Sequence, residues 1–477
     1  MYNNTKGNTT YNIKMPQSMV ACPPRNSGGD IWQAFALIIL LSTIACIYPH
    51  QGFFILTYLS LIALSIFNRS IFFDFSTLAA GIIFVLLNWF YLSLGSIQWG
   101  WEDATLLVAT RVLLLFFCFL ISFRYFKIHK KIDVTLLSSF LLTLFSFSRS
   151  SDFYTALKYL ANVYIPYLSL FYIIFSISPT ENINKQKSKI VKGIAKNFLF
   201  TILIFDLLFI SIEELGIFDS ATFFSMAGNI LRADGGWEGN FRTMLFGIEQ
   251  QREPGLFGDP IVASYFLTSA LMCIAILQKG FIKWAYIFLS LFLLALAKSK
   301  SSLILIALGA LGLLIYKLKA PKSIKIFISV ILYISALALI LVKASSSSSI
   351  DSSYIHYQGL IAPFLRPLDF NYLLGNDLGS GGNMGGGSDQ GAESFVGLLM
   401  YNLGIAGVLL YLALFLRVII LAYSNNTPAK SIFLVSIIIP VMLASFLQEN
   451  PYNLSYAAPR IALLLIILIS TRRSSPS

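Results

Sequence analysis

Residues 344–393 read ASSSSSIDSSYIHYQGLIAPFLRPLDFNYLLGNDLGSGGNMGGGSDQGAE. This outer loop is too polar for the interior of a lipid bilayer, and it is set between two long apolar runs, so it must lie in water on one face of a membrane. Apolar segments within it, such as NYLLG, favour a folded functional loop, whereas Gly and Ser alone would suit a flexible connector. In a chain that is only 12% charged, the loop holds His356, Arg366, Asp369, Asp377, Asp389 and Glu393.

Composition indicates the same class of protein. Of the 477 residues, 57% are hydrophobic and 15% aromatic, which is the profile of an integral membrane protein. The four cysteines are scattered and predict neither a disulfide framework nor a metal or redox site. Successive apolar runs predict an all-α polytopic membrane protein of about fourteen transmembrane helices. The predicted spans are 31–48, 52–67, 75–95, 104–123, 132–148, 159–178, 195–215, 259–278, 283–297, 301–317, 324–343, 393–422, 431–447 and 455–471. The span 393–422 is too long for a perpendicular helix and should be tilted, broken near Gly404 and Gly407, or extended beyond the bilayer.

The distribution of charge predicts the topology. With a cytoplasmic N-terminus, the basic residues collect in the loops on the cytoplasmic side, which is the positive-inside pattern. Both termini are then cytoplasmic, with residues 1–30 as a tail and residues 31–477 as a single transmembrane domain. Two long loops, 216–258 and 344–392, lie on the outer face. The net charge of +12 is therefore largely a topology signal and does not predict nucleic-acid binding.

Some basic residues break this pattern because they are predicted on the outer face. A bound anionic ligand would explain them, and so would ion pairs with neighbouring acids, and the sequence leaves both explanations open. The residues are Arg149, Lys158, Arg232, Arg242, Arg252, Lys298, Lys300, Lys343 and Arg366.

Three predicted helices begin at the outer face with sequences suited to an anion. They begin at Asp259-Pro260, within Lys298-Ser299-Lys300-Ser301-Ser302, and after Ser388-Asp389. A helix N-terminus offers unpaired N–H groups and a partial positive charge, which together bind phosphate. We therefore expect a phosphate or diphosphate ligand at the outer leaflet. The candidate binding residues are Arg242, Lys298, Lys300, Ser301 and Asp259.

The segment QQREPGLFGDP, residues 250–260, is the most specific stretch for such a ligand. The guanidinium of Arg252 can hold two phosphate oxygens through its fixed fork of donors, while the Pro and Gly residues shape a tight re-entry into the membrane. The alternative is an ion pair of Arg252 with Glu253 or Asp259 that only holds the loop together.

Candidate bases are His356, Glu393 and Glu253. His356 stands among Tyr354, Tyr357 and Gln358, where it would orient a sugar hydroxyl or take its proton, although a lone histidine is more often structural. Other charged residues, Arg111, Asp206, Arg417 and Arg460, lie inside predicted spans, where structural pairing is the expected explanation for most of them. The sequence contains no metal-spaced His or Cys cluster, no P-loop and no nucleophile elbow.

Over roughly residues 195–425, the chain resembles the O-antigen polymerase (Wzy-type) and O-antigen ligase superfamily. The resemblance rests on REPGLFGDP at the start of one span, AKSKSSLILIALGALG two spans later, and then IHYQGL, NYLLGNDLGSGG and GAESFVGLLMYNLGIAGVLLYL. It implies a helical membrane glycosyltransferase of the GT-C type with two long periplasmic loops. Arg252 and Arg366 match the essential arginines of those loops, and Lys300 stands where many relatives have arginine. His356 is followed by Tyr357, which departs from the ligase pattern of His followed by Asn, Ser or Gln and favours the polymerase.

The resemblance implies an enzyme of the bacterial inner membrane that polymerises oligosaccharide repeat units carried on undecaprenyl diphosphate, at the periplasmic face and with inversion at the anomeric carbon. Lipid-linked donor and acceptor glycans in the bilayer would be its partners, with a chain-length regulator and a flippase, and neither cofactor nor metal is expected. The alternatives are a ligase that transfers glycan to the lipid A core and a flippase for lipid-linked oligosaccharides. For the polymerase, the candidate catalytic residues are His356, Arg252, Arg366, Glu393 and Glu253.

Overall fold

The computed structural model describes residues 126–128, 133–179, scattered positions between 192 and 215, and then 242–245, 248–251, 260–346, 352–382, 391, 393–424 and 428–470. The predicted tail 1–30, the first four predicted spans and most of the predicted loop 216–258 lie outside the described residues. Three candidate site residues, Arg252, Glu253 and Asp259, also lie outside them, as does Arg111.

Helices dominate the described part of the chain. They are α1 (Val134–Ser148), α2 (Phe153–Tyr159), α3 (Ile165–Ser176), α4 (Pro260–Leu277), α5 (Phe281–Leu296), α6 (Lys300–Lys317), α7 (Lys322–Ser345), α8 (Ser352–Ile361), α9 (Phe370–Leu374), α10 (Phe395–Ser424), α11 (Pro428–Phe433), α12 (Ile439–Ala444) and α13 (Leu454–Ser470). Short π-helical turns join α2 to α3 (Leu160–Tyr164) and α11 to α12 (Leu434–Ile438). Turns of 3-10 helix follow α8 (Ala362–Leu365) and precede α13 (Asn450–Tyr452).

Strands among the described residues form two short antiparallel pairs. These are β1 (Phe126–Ile128) with β2 (Ile177–Pro179), and β3 (Arg242–Leu245) with β4 (Ile248–Gln251). The predicted helical fold is confirmed, and the strand pairs are additions that the sequence did not predict.

Three helical segments of the described chain are long and apolar enough to cross a membrane, namely Phe153–Ser176, Lys322–Ser345 and Phe395–Ser424. Each predicted span from 259–278 onward coincides with a helix, several of them with apolar helices of 10–17 residues. The apolar window of Phe153–Ser176 is 72% buried, whereas that of Lys322–Ser345 is 11% buried. The first segment therefore belongs to the core, and α7 turns its apolar surface outward, where lipid would cover it.

The loops that join the helices contact one another at one end of the bundle. At one end, which we call the loop end, the outer loop lies against the connection between α1 and α2. Leu378 N donates to Ser146 O at 3.3 Å, and Ser150 Oγ donates to Leu378 O at 2.9 Å. The connection between α12 and α13 joins them there, because Phe395 N donates to Gln448 O at 3.2 Å. These are the connections that the alternation of spans predicts on one side of the membrane.

The opposite end holds charged side chains with protein partners. Arg417 of α10 forms an ion pair with Asp133, the N-cap of α1, and its guanidinium lies 4.8 Å from the centre of the Phe175 ring. Lys430 of α11 is buried and donates to Ile174 O at 2.7 Å, near the C-terminus of α3. The expectation of structural pairing is thus confirmed for Arg417.

A break in α10 at Gly404 shapes the loop end. Gly404 has φ 66° and ψ −170°, a conformation that a glycine adopts without steric cost. The predicted break in this helix is therefore confirmed at Gly404. The turn before the break has carbonyl groups that accept hydrogen bonds from outside the helix. Arg366 Nη2 donates to Met400 O at 3.0 Å, and Asn376 N donates to Tyr401 O at 2.9 Å. The outer loop therefore docks on backbone groups of the broken helix.

Arg149, one of the basic residues predicted on the outer face, holds the loop in place. Its Nη1 donates to Gly375 O at 2.9 Å, and its Nη2 donates to Asn371 Oδ1 at 2.8 Å. Its guanidinium also lies 5.5 Å and 5.3 Å from the ring centres of Phe145 and Phe370. These contacts give Arg149 a structural role, because they fasten α9 to the end of α1.

Candidate functional site

The structure brings together two of the residues that the sequence singled out, His356 and Glu393. His356 Nδ1 lies 3.1 Å from the backbone oxygen of Glu393 and 3.4 Å from its carboxylate Oε2. The two side chains are 23% and 36% exposed, so the pair is accessible from the loop end. The chain between them, residues 357–392, lies entirely within the outer loop, so the loop has to fold back on itself for the two residues to meet.

A close crossing of α8 and α10 positions this pair. The crossing is at Gly359 and Gly397, where a Cβ built on Gly397 would lie 2.0 Å from Gly359 O. Only a residue without a side chain allows the two backbones to come so close. His356 lies one turn before Gly359, and Glu393 lies about one turn before Gly397, so the crossing places their side chains beside each other.

Glu393 adopts a backbone conformation that is costly for its residue type. Its φ is 66°, in the left-handed region that few residues other than glycine enter. The next residue, Ser394, is the N-cap of α10, since its Oγ accepts from Gly397 N at 3.0 Å and donates to Phe446 O at 2.8 Å. A conformation of this kind costs about 1–3 kcal/mol, and such residues cluster at functional sites. In this conformation the backbone oxygen of Glu393 lies 3.1 Å from His356 Nδ1.

The arrangement defines what the imidazole of His356 can do. A carbonyl and a carboxylate both accept hydrogen bonds, so the proton of neutral His356 is held on Nδ1. Nε2 then carries the lone pair and is the atom able to accept a proton from a bound hydroxyl. The carbonyl and the carboxylate of Glu393 are thus placed where they can orient the imidazole ring of His356.

Arg366 lies on the same loop but makes contacts of a different kind. Its Nε donates to Pro363 O at 3.1 Å, its Nη2 donates to Met400 O, and its guanidinium stacks 4.4 Å from the centre of the Tyr401 ring. Burial lowers the pKa of Arg366, which Tyr401 and Asp369 partly offset, and arginine remains charged at neutral pH. Among the described residues, Nη1 has no partner and is the nitrogen left for a ligand.

The prediction that an anion binds at the start of α10 is wrong. The N–H groups at the start of α10 are occupied, because Phe395 N donates to Gln448 O, Val396 N to Ser445 O, and Gly397 N to Ser394 Oγ. An anion at this terminus would have to compete with these bonds, so the terminus offers no site.

The start of α6 differs from that of α10. Lys298 has φ 44° and precedes the N-cap Ser299, whose side chain makes no capping hydrogen bond. Ser299 Oγ lies 2.7 Å from Ser301 Oγ, and Ser302 Oγ donates to Ser299 O at 2.7 Å. Lys300 is the first residue of the helix. Lys298, Lys300 and Ser301 therefore stand at a helix end without a side-chain cap, which is where an anion is bound most readily.

A small, mostly apolar cleft begins at this helix end. It lies between α6, α7 and the end of α12 with the residues that follow it. Ser301 and Gln448 are its polar lining residues, and the rest of its lining is apolar: Ile304, Leu308, Ala336, Leu337, Ile340, Leu443, Ala444 and Leu447. An apolar cleft with polar groups at one end suits an amphiphile.

Among the candidate residues whose side chains the structure describes, Arg366, Lys298 and Ser301 form no hydrogen bond or ion pair with His356 or Glu393. Arg242 is the first residue of β3. Sequence reasoning also missed Gln448, which lines the cleft and binds the start of α10. The signal was present in the sequence, since Gln448, Glu449 and Asn450 form a short polar run between two apolar segments.

Comparison of the chain with protein-family models, curated proteins and solved structures finds no match.

Proposed function

We propose that this protein is a membrane glycosyltransferase that polymerises oligosaccharide repeat units carried on undecaprenyl diphosphate, at the outer face of the bacterial inner membrane. The observation that carries the proposal is the pairing of His356 with Glu393 at the loop end of a membrane bundle. A base held there in one tautomer is what transfer to a sugar hydroxyl requires. The resemblance of the chain to O-antigen polymerases names the substrate class.

The proposed reaction moves one proton and exchanges one bond. The acceptor hydroxyl oxygen attacks the anomeric carbon of the donor glycan, and the bond from that carbon to the diphosphate oxygen breaks. His356 Nε2 takes the hydroxyl proton, while Glu393 holds Nδ1. Undecaprenyl diphosphate leaves with the bonding electron pair, and the cations Arg366, Lys298 and Lys300 stabilise the negative charge that develops on it. Attack from the face opposite the leaving group inverts the anomeric centre.

The glycan made by a strain that lacks this protein tests the proposal. Loss of a polymerase leaves surface lipid capped with a single repeat unit. Full-length lipid-linked polymer that never reaches the lipid A core would instead indicate the ligase, and accumulation of repeat units on the cytoplasmic face would indicate the flippase. Either of the last two results would reject the proposed reaction.

Topology is a separate prediction, because the proposal requires the loop end to face the periplasm. In a variant whose four cysteines are replaced, a cysteine at the exposed position Leu368 should react with a membrane-impermeant thiol reagent in intact spheroplasts. A cysteine at Lys319, in the exposed turn between α6 and α7 at the opposite end, should react only after lysis. The reverse labelling pattern would place His356 on the cytoplasmic side and contradict the proposal.

A further inference from the structure

Arg460 of α13 is a buried cation without a charged partner in the described part of the chain. It is 1% exposed, and its Nη1 donates to Pro451 O at 2.5 Å. Its guanidinium lies 4.9 Å from the centre of the Tyr265 ring. Nε and Nη2 have no hydrogen-bond partner among the residues that the structure describes. The sequence-based expectation of structural pairing, which holds for Arg417, is therefore not met for Arg460.

Burying an unpaired cation such as Arg460 is unfavourable in free energy, and this unfavourable free energy calls for an explanation. Taking a charged side chain out of water costs several kcal/mol unless an opposite charge and hydrogen bonds compensate it. The ring of Tyr265 and one carbonyl compensate only part of this. Arg417, at the other end of the bundle, has Asp133 for the same purpose. A bound anion would complete the hydrogen bonding of Arg460 and compensate its charge.

The two unpartnered nitrogens define the shape of that anion. Nε and Nη2 form one edge of the guanidinium, and their N–H bonds point the same way. This edge binds two oxygens of one anionic group side by side, as in arginine complexes with carboxylates and phosphates.

Tyr265 and Gln448 link Arg460 to the apolar cleft. Tyr265 OH donates to Gln448 Oε1, and Gln448 lines the cleft. Ser301, at the start of α6, lines the same cleft, and Lys298 lies just before it. A ligand that uses both features has a hydrocarbon chain and an anionic head. Because Lys298 adds a second positive charge beside the cleft, a phosphate head matches the site better than a singly charged carboxylate.

We infer that the Nε and Nη2 edge of Arg460 binds a phosphate group of an amphiphile whose hydrocarbon chain occupies the cleft between α6, α7 and α12. Insofar as that amphiphile is the lipid-linked donor, the inference rests on the proposed function. Gln448 then links the Arg460 site to the pair of His356 and Glu393, because its backbone oxygen accepts from Phe395 N, two residues after Glu393, and its side chain accepts from Tyr265 OH.

The test uses the purified full-length protein in phosphatidylcholine nanodiscs and labelled farnesyl diphosphate as the probe. Arg460→Gln should weaken binding of the probe by about ten- to hundredfold, the effect of losing charge-assisted hydrogen bonds. Farnesol and inorganic diphosphate should compete poorly, since each lacks one half of the ligand. Ala336→Phe, which fills the cleft, should weaken binding of farnesyl diphosphate and leave that of inorganic diphosphate unchanged.

The unfolding temperature distinguishes a ligand-binding role of Arg460 from a structural role. Without ligand, Arg460→Gln should unfold at the same or a higher temperature than the wild type, because removing an unpaired buried charge relieves its desolvation cost. The matched control is Arg417→Gln, which breaks the pair with Asp133 and should lower the unfolding temperature without changing probe affinity. Unchanged probe binding by Arg460→Gln would overturn the inference, and so would laurate competing as well as farnesyl diphosphate.

A competition experiment identifies the source of the phosphate, and a comparison of two variants separates this inference from the proposed function. Phosphatidylglycerol that competes equally with farnesyl diphosphate would assign the site to a bilayer phospholipid, whereas selective binding of farnesyl diphosphate assigns it to a prenyl carrier. If Arg460→Gln loses the probe while His356→Ala polymerises glycan normally, the binding site stands and the proposed chemistry fails. If Arg460→Gln keeps the probe while His356→Ala is inactive, the proposed chemistry stands and the binding site fails.

Discussion

Replacing His356 by alanine is expected to lower the rate of glycosidic-bond formation by about a hundred- to ten-thousand-fold, which is the usual contribution of a general base. The reason is that Nε2 of His356, with Nδ1 held by Glu393, is the proton acceptor for the sugar hydroxyl. The measurement is the initial rate of elongation of a lipid-linked repeat unit by purified variants. His356→Gln, which keeps hydrogen bonding but accepts no proton, should be nearly as slow as the alanine variant.

Two controls distinguish chemistry from folding in this prediction. Ile355 is an exposed neighbour on the same helix, and Ile355→Ala should leave both rate and unfolding temperature unchanged. Glu393→Gly keeps the backbone oxygen that faces His356, removes the carboxylate and relieves the positive φ. It should therefore cost activity by about ten- to a hundredfold, as loss of an orienting partner does, without lowering the unfolding temperature. Elongation by His356→Ala at the wild-type rate would show that His356 is not the base.

Replacing Gly397 by alanine is expected to separate His356 from Glu393 without touching either residue. The added Cβ would lie 2.0 Å from Gly359 O and 3.3 Å from Gly391 Cα, so α8 has to move away from α10. Both contacts are to backbone, which cannot rotate aside as a side chain can. Overpacking of this kind costs about 1–3 kcal/mol or more, and the rate should fall at least as far as in Glu393→Gly because the imidazole loses both the carbonyl and the carboxylate of Glu393.

The matched control for this substitution is Gly193→Ala. Nothing lies within 4 Å of a Cβ at Gly193, so this variant should match the wild type in unfolding temperature and rate. Both variants carry the same chemical change in glycine, and they differ only in the space available. A Gly397→Ala protein with wild-type stability and rate would show that the crossing of α8 and α10 does not position the site.

Local features of the fold could be predicted from the sequence. Each predicted span from 259–278 onward coincides with a helix, because long apolar runs need no distant partner to be recognised. The break at Gly404 was predictable for the same reason, since a run that exceeds one bilayer span and contains glycines has few alternatives. The choice of His356 and Glu393 as candidate bases followed from their residue types and their place in the outer loop.

Features that depend on distant contacts could not be predicted. The meeting of His356 with Glu393 depends on the register of the crossing at Gly359 and Gly397. The N-terminus of α10 looked suited to an anion, but Gln448 and Ser445 occupy its N–H groups, and no local pattern announces that. Arg149 and Arg460 are both basic residues near apolar runs, yet one has backbone and side-chain acceptors and the other has two unpartnered nitrogens.

The central claim is that this protein forms glycosidic bonds between lipid-linked repeat units, and reconstitution tests it most directly. The wild-type protein and the His356→Ala variant would be placed separately in liposomes with one undecaprenyl-diphosphate-linked repeat-unit oligosaccharide. Products would be followed by mass spectrometry. The account predicts a ladder of lipid-linked multiples, with one undecaprenyl diphosphate released for each bond formed, from the wild type and not from the variant. Repeat units that cross the bilayer or remain unchanged, with no new glycosidic bond and no released diphosphate, would contradict it.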